Sequence, residues 1–221
     1  MKTQNRSRGT KLILKISAVI LTLILFGQNS EAQILKSRFG FKVGANLSSL
    51  NVTNVEDEKI LPGYDIGAFV RLQLTKGFAL QPELNFSTKG AELSYTTGDG
   101  STTSAVHLQY FEIPVLGVFS LTNHFNLQLG PYGSYLGNVN VVHKSGSTTS
   151  NISSQIADHN FKAIDYGLAG GAGLDIGLLA CGLRYFYGLR NVGEEQNESN
   201  PNYTLPNAKN TTAQVYVGLS F

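Results

Sequence analysis

The sequence predicts an all-β fold, an eight-stranded antiparallel up-and-down transmembrane β-barrel. Alternation with period two recurs along the chain, while sustained helical periodicity is rare. The segments between the alternating runs are by turns short and long. One face of each run is bulky and apolar, and the other mixes glycine and small polar residues with charge.

Residues 1–32 stand apart. Lys2, Arg6, Arg8, Lys11 and Lys15 precede an apolar stretch from Ile16 to Gly27, and "NSEA" with small residues at Ser30 and Ala32 follows. That layout predicts a secretory signal peptide cut after Ala32 and leaves 33–221 as one barrel domain. It also removes five cations and one anion from the chain's 17 and 15, so the mature protein is slightly acidic. A basic nucleic-acid footprint is thereby excluded. Cys181, the single cysteine, has no partner for an internal disulfide, so stability must come from packing or lipid.

The first strand is "FGFKVGANL", with Phe39, Phe41, Val43, Ala45 and Leu47 on one face and Lys42 on the other. The second, "YDIGAFVRLQL", sets Tyr64, Ile66, Ala68, Val70, Leu72 and Leu74 against Asp65, Gly67, Phe69, Arg71 and Gln73. The third sets Phe78, Leu80, Pro82, Leu84 and Phe86 against Ala79, Gln81, Glu83, Asn85 and Ser87. The fourth is expected near 105–119, the fifth near 125–138, the sixth over 163–176, the seventh over 179–190 and the eighth over 211–221. Connections at 75–77, 120–124 and 177–178 are short, whereas 51–61, 93–104, 139–162 and 191–210 are long. Neighbouring strands joined in this way put all short turns at one end, the pattern of outer-membrane barrels, with both chain termini in the periplasm.

Eight strands enclose little volume, too little for the bulky face. That face is therefore assigned to lipid, and the lumen is expected to hold a polar network of Lys42, Arg71, Glu83, Glu112, Asp165, Asp175, Arg184 and Arg190. A soluble periplasmic barrel holding a small apolar ligand is the alternative with the faces reversed. A two-residue turn at Gly177 places Ile176 opposite Leu179, Arg184 opposite Gly171, Gly170 opposite Tyr185 and Asp165 opposite Arg190. The "TKG" loop puts Arg71 diagonal to Glu83. Pro82 and Pro114 give no ladder donor, so bulges are expected there.

The chemistry-bearing motifs are weak. "GLAGGAG" lacks a Gly-Lys-Ser/Thr ending and lies inside a strand pattern. His107, His124, His143 and His159 show no tight metal-ligand spacing, and serine is too abundant for a Ser–His pairing to discriminate. No catalytic, cofactor-binding or metal-binding residue is assigned, and a barrel enzyme acting on lipid is kept as an alternative. The sequons at Asn151 and Asn197 reflect composition. The loops 139–162 and 191–210 are where a protein or glycan partner would bind.

"FGFKVGANLSSL", "QYFEIPVLG", "LQLGPYGSYLG", "DYGLAGGAGLDI" and "LRYFYGLRNV", with the terminal "AQVYVGLSF", resemble the PorT-type outer-membrane β-barrel domain, a Gram-negative group broadly similar to the OmpA and OmpX barrels. The resemblance implies insertion into outer-membrane lipid by the barrel assembly machinery, with the C-terminal aromatic, Phe221, as its recognition signal. The family's namesake is associated with secretion across the outer membrane. That role is held as a further alternative, and the resemblance carries over no catalytic residue or cofactor.

Overall fold

The computed structural model describes residues 37–51, 58–97, 100–145, 148–154, 162–191 and 209–221. The strands are β1 (Arg38–Asn51), β2 (Glu58–Gln73), β3 (Phe78–Thr97), β4 (Gly100–Ser120), β5 (Phe125–Ser145), β6 (Thr148–Ser154), β7 (Ile164–Ile176), β8 (Leu179–Asn191) and β9 (Lys209–Ser220). Eight of them close a barrel in which every neighbouring pair is antiparallel. The ninth, β6, pairs with the far end of β5, in line with β7.

The seam between the first and last strands is fully zipped, from Gly40 opposite Ser220 to Asn51 opposite Lys209. Phe221 adds one more rung. Its N–H donates to the Phe39 carbonyl at 2.7 Å, the Phe39 N–H donates to the Phe221 carbonyl at 3.1 Å, and their rings stack with centroids 5.4 Å apart.

The bulky face points outward. Phe41, Ile66, Leu129, Leu183, Val215 and Leu219 are all at least half exposed, which fits hydrocarbon and not water. Phe39, Phe41, Phe119 and Phe221 ring the end that carries the tight turns. Tyr64, Tyr135 and Tyr166 are exposed about ten residues further along their strands, roughly 25 Å up a tilted barrel, the height of a lipid-facing band between aromatic girdles.

The turns explain the register. Gly177 has φ +62°, as the first position of a primed hairpin turn requires, and Ile176 faces Leu179. Arg184 opposite Gly171 and Tyr185 opposite Gly170 follow in the same ladder. The "TKG" connection sets Asp65 opposite Ser87 and Gln73 opposite Ala79.

Three expectations need correction. Pro82 and Pro114 do not create bulges: Pro82 faces Val115 and Pro114 faces Tyr132 in unbroken register. Rungs are missing beside the prolines, and intact rungs on both sides hold the alignment. The irregularities fall elsewhere, between Ile60 and Asp65, at Gln109/Tyr110 where Gly137 is the extra residue, and between Tyr187 and Asn191. The Gly137 bulge resets the alternation of β5, so Leu136 and Val139 both face inward.

The second and third corrections concern the segments 93–104 and 139–162, expected as loops. β3 and β4 run on to Thr97 and from Gly100, β5 reaches Ser145, and β6 occupies 148–154. These stretches are rich in Thr, Val and Ser, which suit strands. With no lipid on one side they lack the apolar alternation that marked the spanning parts. The loop at 191–210 lies mostly outside the described residues.

Candidate functional site

The inward face of each strand is set by its pleat, so the parity that sends Phe41 and Val43 to lipid sends Lys42 and Asn46 to the lumen. The buried lumen groups are arranged in tiers. Nearest the tight turns, Arg71 donates through Nε to Gln81 Oε1 at 2.6 Å and through Nη1 to Asp175 Oδ2 at 2.6 Å, while Asn126 donates to the same Asp175 oxygen at 2.8 Å.

Glu83 is the hub of the next tier. Arg184 reaches across from β8 and binds it in a fork, Nη1 to Oε2 at 2.9 Å and Nη2 to Oε1 at 3.1 Å. Lys42 approaches Oε2 at 2.9 Å and Asp65 at 3.2 Å. Gln81 donates to Oε1 at 2.7 Å, and Gln128 accepts from Arg184 at 2.6 Å while donating to the Tyr216 hydroxyl at 2.8 Å. The Arg184 guanidinium also lies over the Tyr216 ring, 4.9 Å from its centroid.

Above this, Lys89 pairs with Glu112, its ammonium 4.7 Å from the Tyr132 ring centroid and 4.9 Å from that of Phe186. A final tier crosses from β4 to β9 to β7: Asn210 donates to the Tyr110 hydroxyl at 3.2 Å and to Asp165 Oδ2 at 2.9 Å. One sector of the lumen is apolar, with Leu108, Leu116, Val118 and Leu136 fully buried.

Of the eight residues expected in this network, Lys42, Arg71, Glu83, Glu112, Asp165, Asp175 and Arg184 line the lumen. Two expected pairings are replaced. Arg71 bonds Gln81 and Asp175 instead of Glu83, because Asp175 hangs beside the tight turn within reach and the fork of Arg184 already claims Glu83. Arg190 does not meet Asp165. The shift in β8 after Tyr187 re-aims it, and its Nη1 donates to the Ile164 carbonyl at 3.1 Å on the rim.

Lys89, Tyr110, Tyr132, Phe186, Asn210 and Tyr216 were not singled out in the sequence. Continuing the inward parity past Ser87 finds Lys89, and the alternation of the terminal run puts Tyr216 on the face opposite Val215 and Val217; Tyr110, Tyr132 and Phe186 defied the expectation that the bulky residues face lipid. His107 faces outward, His124 lies in the tight turn after β4, His143 belongs to the extended part of β5, and His159 is outside the described residues. Among the described residues no group of three His, Cys, Asp or Glu is placed to hold a metal ion.

Room for the second tier comes from Gly173. A Cβ there would lie 2.8 Å from Asn126 Oδ1, 2.8 Å from Gln128 Nε2 and 3.0 Å from the Tyr216 hydroxyl. Gly173→Val is therefore expected to destabilise the barrel by about 1–3 kcal/mol in urea titrations in detergent, through displaced polar side chains.

A filled lumen within a lipid-facing barrel points to one architecture. The family model described as "Outer membrane protein beta-barrel domain" matches residues 26–194, more than half of the chain. The chain belongs to that family. The outer-membrane barrel is thereby both fold and location. Among solved structures of other outer-membrane barrels it is similar to the attachment invasion locus protein Ail of Yersinia pestis, at 12% identity over 85% of this chain and 100% of that one, with a TM-score of 0.47. It is similar also to Neisserial surface protein A, at 14% identity over 83% and 97% with a TM-score of 0.47, and to OprG of Pseudomonas aeruginosa, at 13% over 84% and 95% with a TM-score of 0.42. At such identities these barrels say nothing of what this one does. No curated protein matches the chain.

Proposed function

We propose that this outer-membrane barrel serves as a rigid stake for a binding surface outside the cell. The observation that carries this reading is strand length. β3, β4 and β5 have 20, 21 and 21 residues, whereas about 9–11 suffice to cross a bilayer. The surplus lies at one end, where Leu93 pairs with Ser104, Thr102 with Ser145, and Ser145 with Thr148, a continuous sheet of β3, β4, β5 and β6 standing beyond the tyrosine girdle. Ordered strands hold a recognition surface at less entropic cost than loose loops do.

The rest of the reading follows that orientation. Residues 1–32 act as the export signal, both termini of the mature chain lie in the periplasm, and Phe221 is the assembly signal read by the barrel assembly machinery. The chain is a PorT-type member of its family. Its partner is a protein or glycan meeting the β3–β6 sheet and the 191–210 segment, and the tiers across the lumen keep ion conduction small.

An epitope inserted between Gly146 and Ser147 tests this. On intact cells it should bind antibody fully, while a tag placed ahead of β1 should bind only after the outer membrane is opened. The reverse pattern would sink the reading.

A further inference from the structure

Of the five lumen carboxylates among the described residues, four sit against a cation. Asp65 and Glu83 share Lys42, Glu83 also holds Arg184, Asp175 holds Arg71, and Glu112 holds Lys89. Asp165 is the exception. It is 1% exposed, and among the described residues no cation lies within ion-pair distance of it. The Asn210 amide donates to Oδ2, and Oδ1 accepts nothing. The neighbouring cations are engaged elsewhere, Lys89 with Glu112 inside its aromatic cage and Arg190 with the Ile164 carbonyl on the rim. An ionised carboxylate taken out of water with only neutral donors is strongly disfavoured.

The groups around Asp165 repeat the deficit. Glu112, Ser134 and Asp165 form one row across β4, β5 and β7. Glu112 Oε1, Asn210 Oδ1 and the hydroxyl of Tyr132, two residues along β5 from Ser134, are all buried and all without a hydrogen-bond partner. Three of these four oxygens can only accept, so the single proton of Tyr132 cannot satisfy them. What Asp165 lacks is a cation paired directly with it.

We propose that the upper lumen binds one monovalent hard cation, of the sodium or potassium kind, on Asp165 Oδ1, with Asn210 Oδ1, Glu112 Oε1 and the Tyr132 hydroxyl as the available further ligands. The donor set is all oxygen, which selects hard ions. A single uncompensated charge calls for one unit of charge in return, and the Lys89 ammonium beside Glu112 disfavours a divalent ion. Asp165 follows the first residue of β7, so the ion enters from the end opposite the tight turns, since the Arg184 tier bars the other way.

The test uses the purified full-length barrel in detergent, in sodium, potassium or choline chloride at equal ionic strength. Two readouts are taken, the temperature at which the compact gel form is lost and the sodium-23 NMR line width. The wild type should unfold several degrees lower in choline and broaden the sodium line. Asp165→Asn should abolish both effects and, in choline, be at least as stable as the wild type in sodium. If that variant does not fold, Tyr132→Phe removes one oxygen without touching charge and should raise the sodium concentration at half-effect severalfold. Equal stability in all three salts would overturn the proposal. So would a sodium effect that persists in Asp165→Asn, or stability in choline that falls as pH rises, which would mark a bound proton instead of a metal ion.

Discussion

Arg184→Met should lower the unfolding free energy by about 3–5 kcal/mol in urea titrations of the detergent-folded barrel, because it strands a buried carboxylate. The fork on Glu83 is lost, and Lys42, which must also serve Asp65, is left as the only cation on that hub among the described residues. Gln128 loses its donor as well. The double variant Arg184→Met/Glu83→Gln should recover much of the loss, since a neutral amide tolerates the company of Gln81 and Asn85 and leaves Lys42 to Asp65. A double variant as weak as the single one would show that the methionine had disturbed packing and that the ion pair was not the source of the loss.

Phe221→Ala should remove most of the heat-modifiable protein from the outer-membrane fraction of cells while leaving refolding in detergent nearly intact. The two effects separate because the rung with Phe39 is made by main-chain atoms, which alanine keeps, whereas the ring is what an assembly receptor would recognise. Loss of the ring stack with Phe39 accounts for about 0.5–1.5 kcal/mol in either setting. Normal assembly in cells would remove the recognition role from Phe221 and leave it only the rung.

The spanning parts of the barrel were legible because lipid on one side and a crowded lumen on the other impose a two-residue period. Lys42, Asp65, Arg71 and Glu83 could be placed inside by counting from Phe41, Ile66 and Leu84. Beyond the membrane both faces meet water, the period loses its contrast, and β6 with the ends of β3, β4 and β5 looked like loop. Backbone register was legible within the hairpins, but the lumen partners were not, even there: Arg71 and Arg190 each bond a group other than the carboxylate expected across the hairpin. Arg184 and Glu83 come from strands 101 residues apart in sequence, and closure alone brings them together. Register also failed wherever a bulge reset it, as it did for Arg190 after Tyr187.

The seam has a consequence for the order of folding. Its two strands are the first and the last of the barrel in chain order, so nothing can close until the final residues are delivered. Until then β1 and the latest strand present bare edges, and each is a template for pairing with another chain. Contacts of such long range make closure slow, with a large loop-closure entropy ahead of any reward from the seam. The ion pairs of the lumen, drawn from opposite walls, form in the same late event. A half-made barrel is therefore open, polar within and prone to aggregate, and its survival depends on how long it can be held before the last strand arrives.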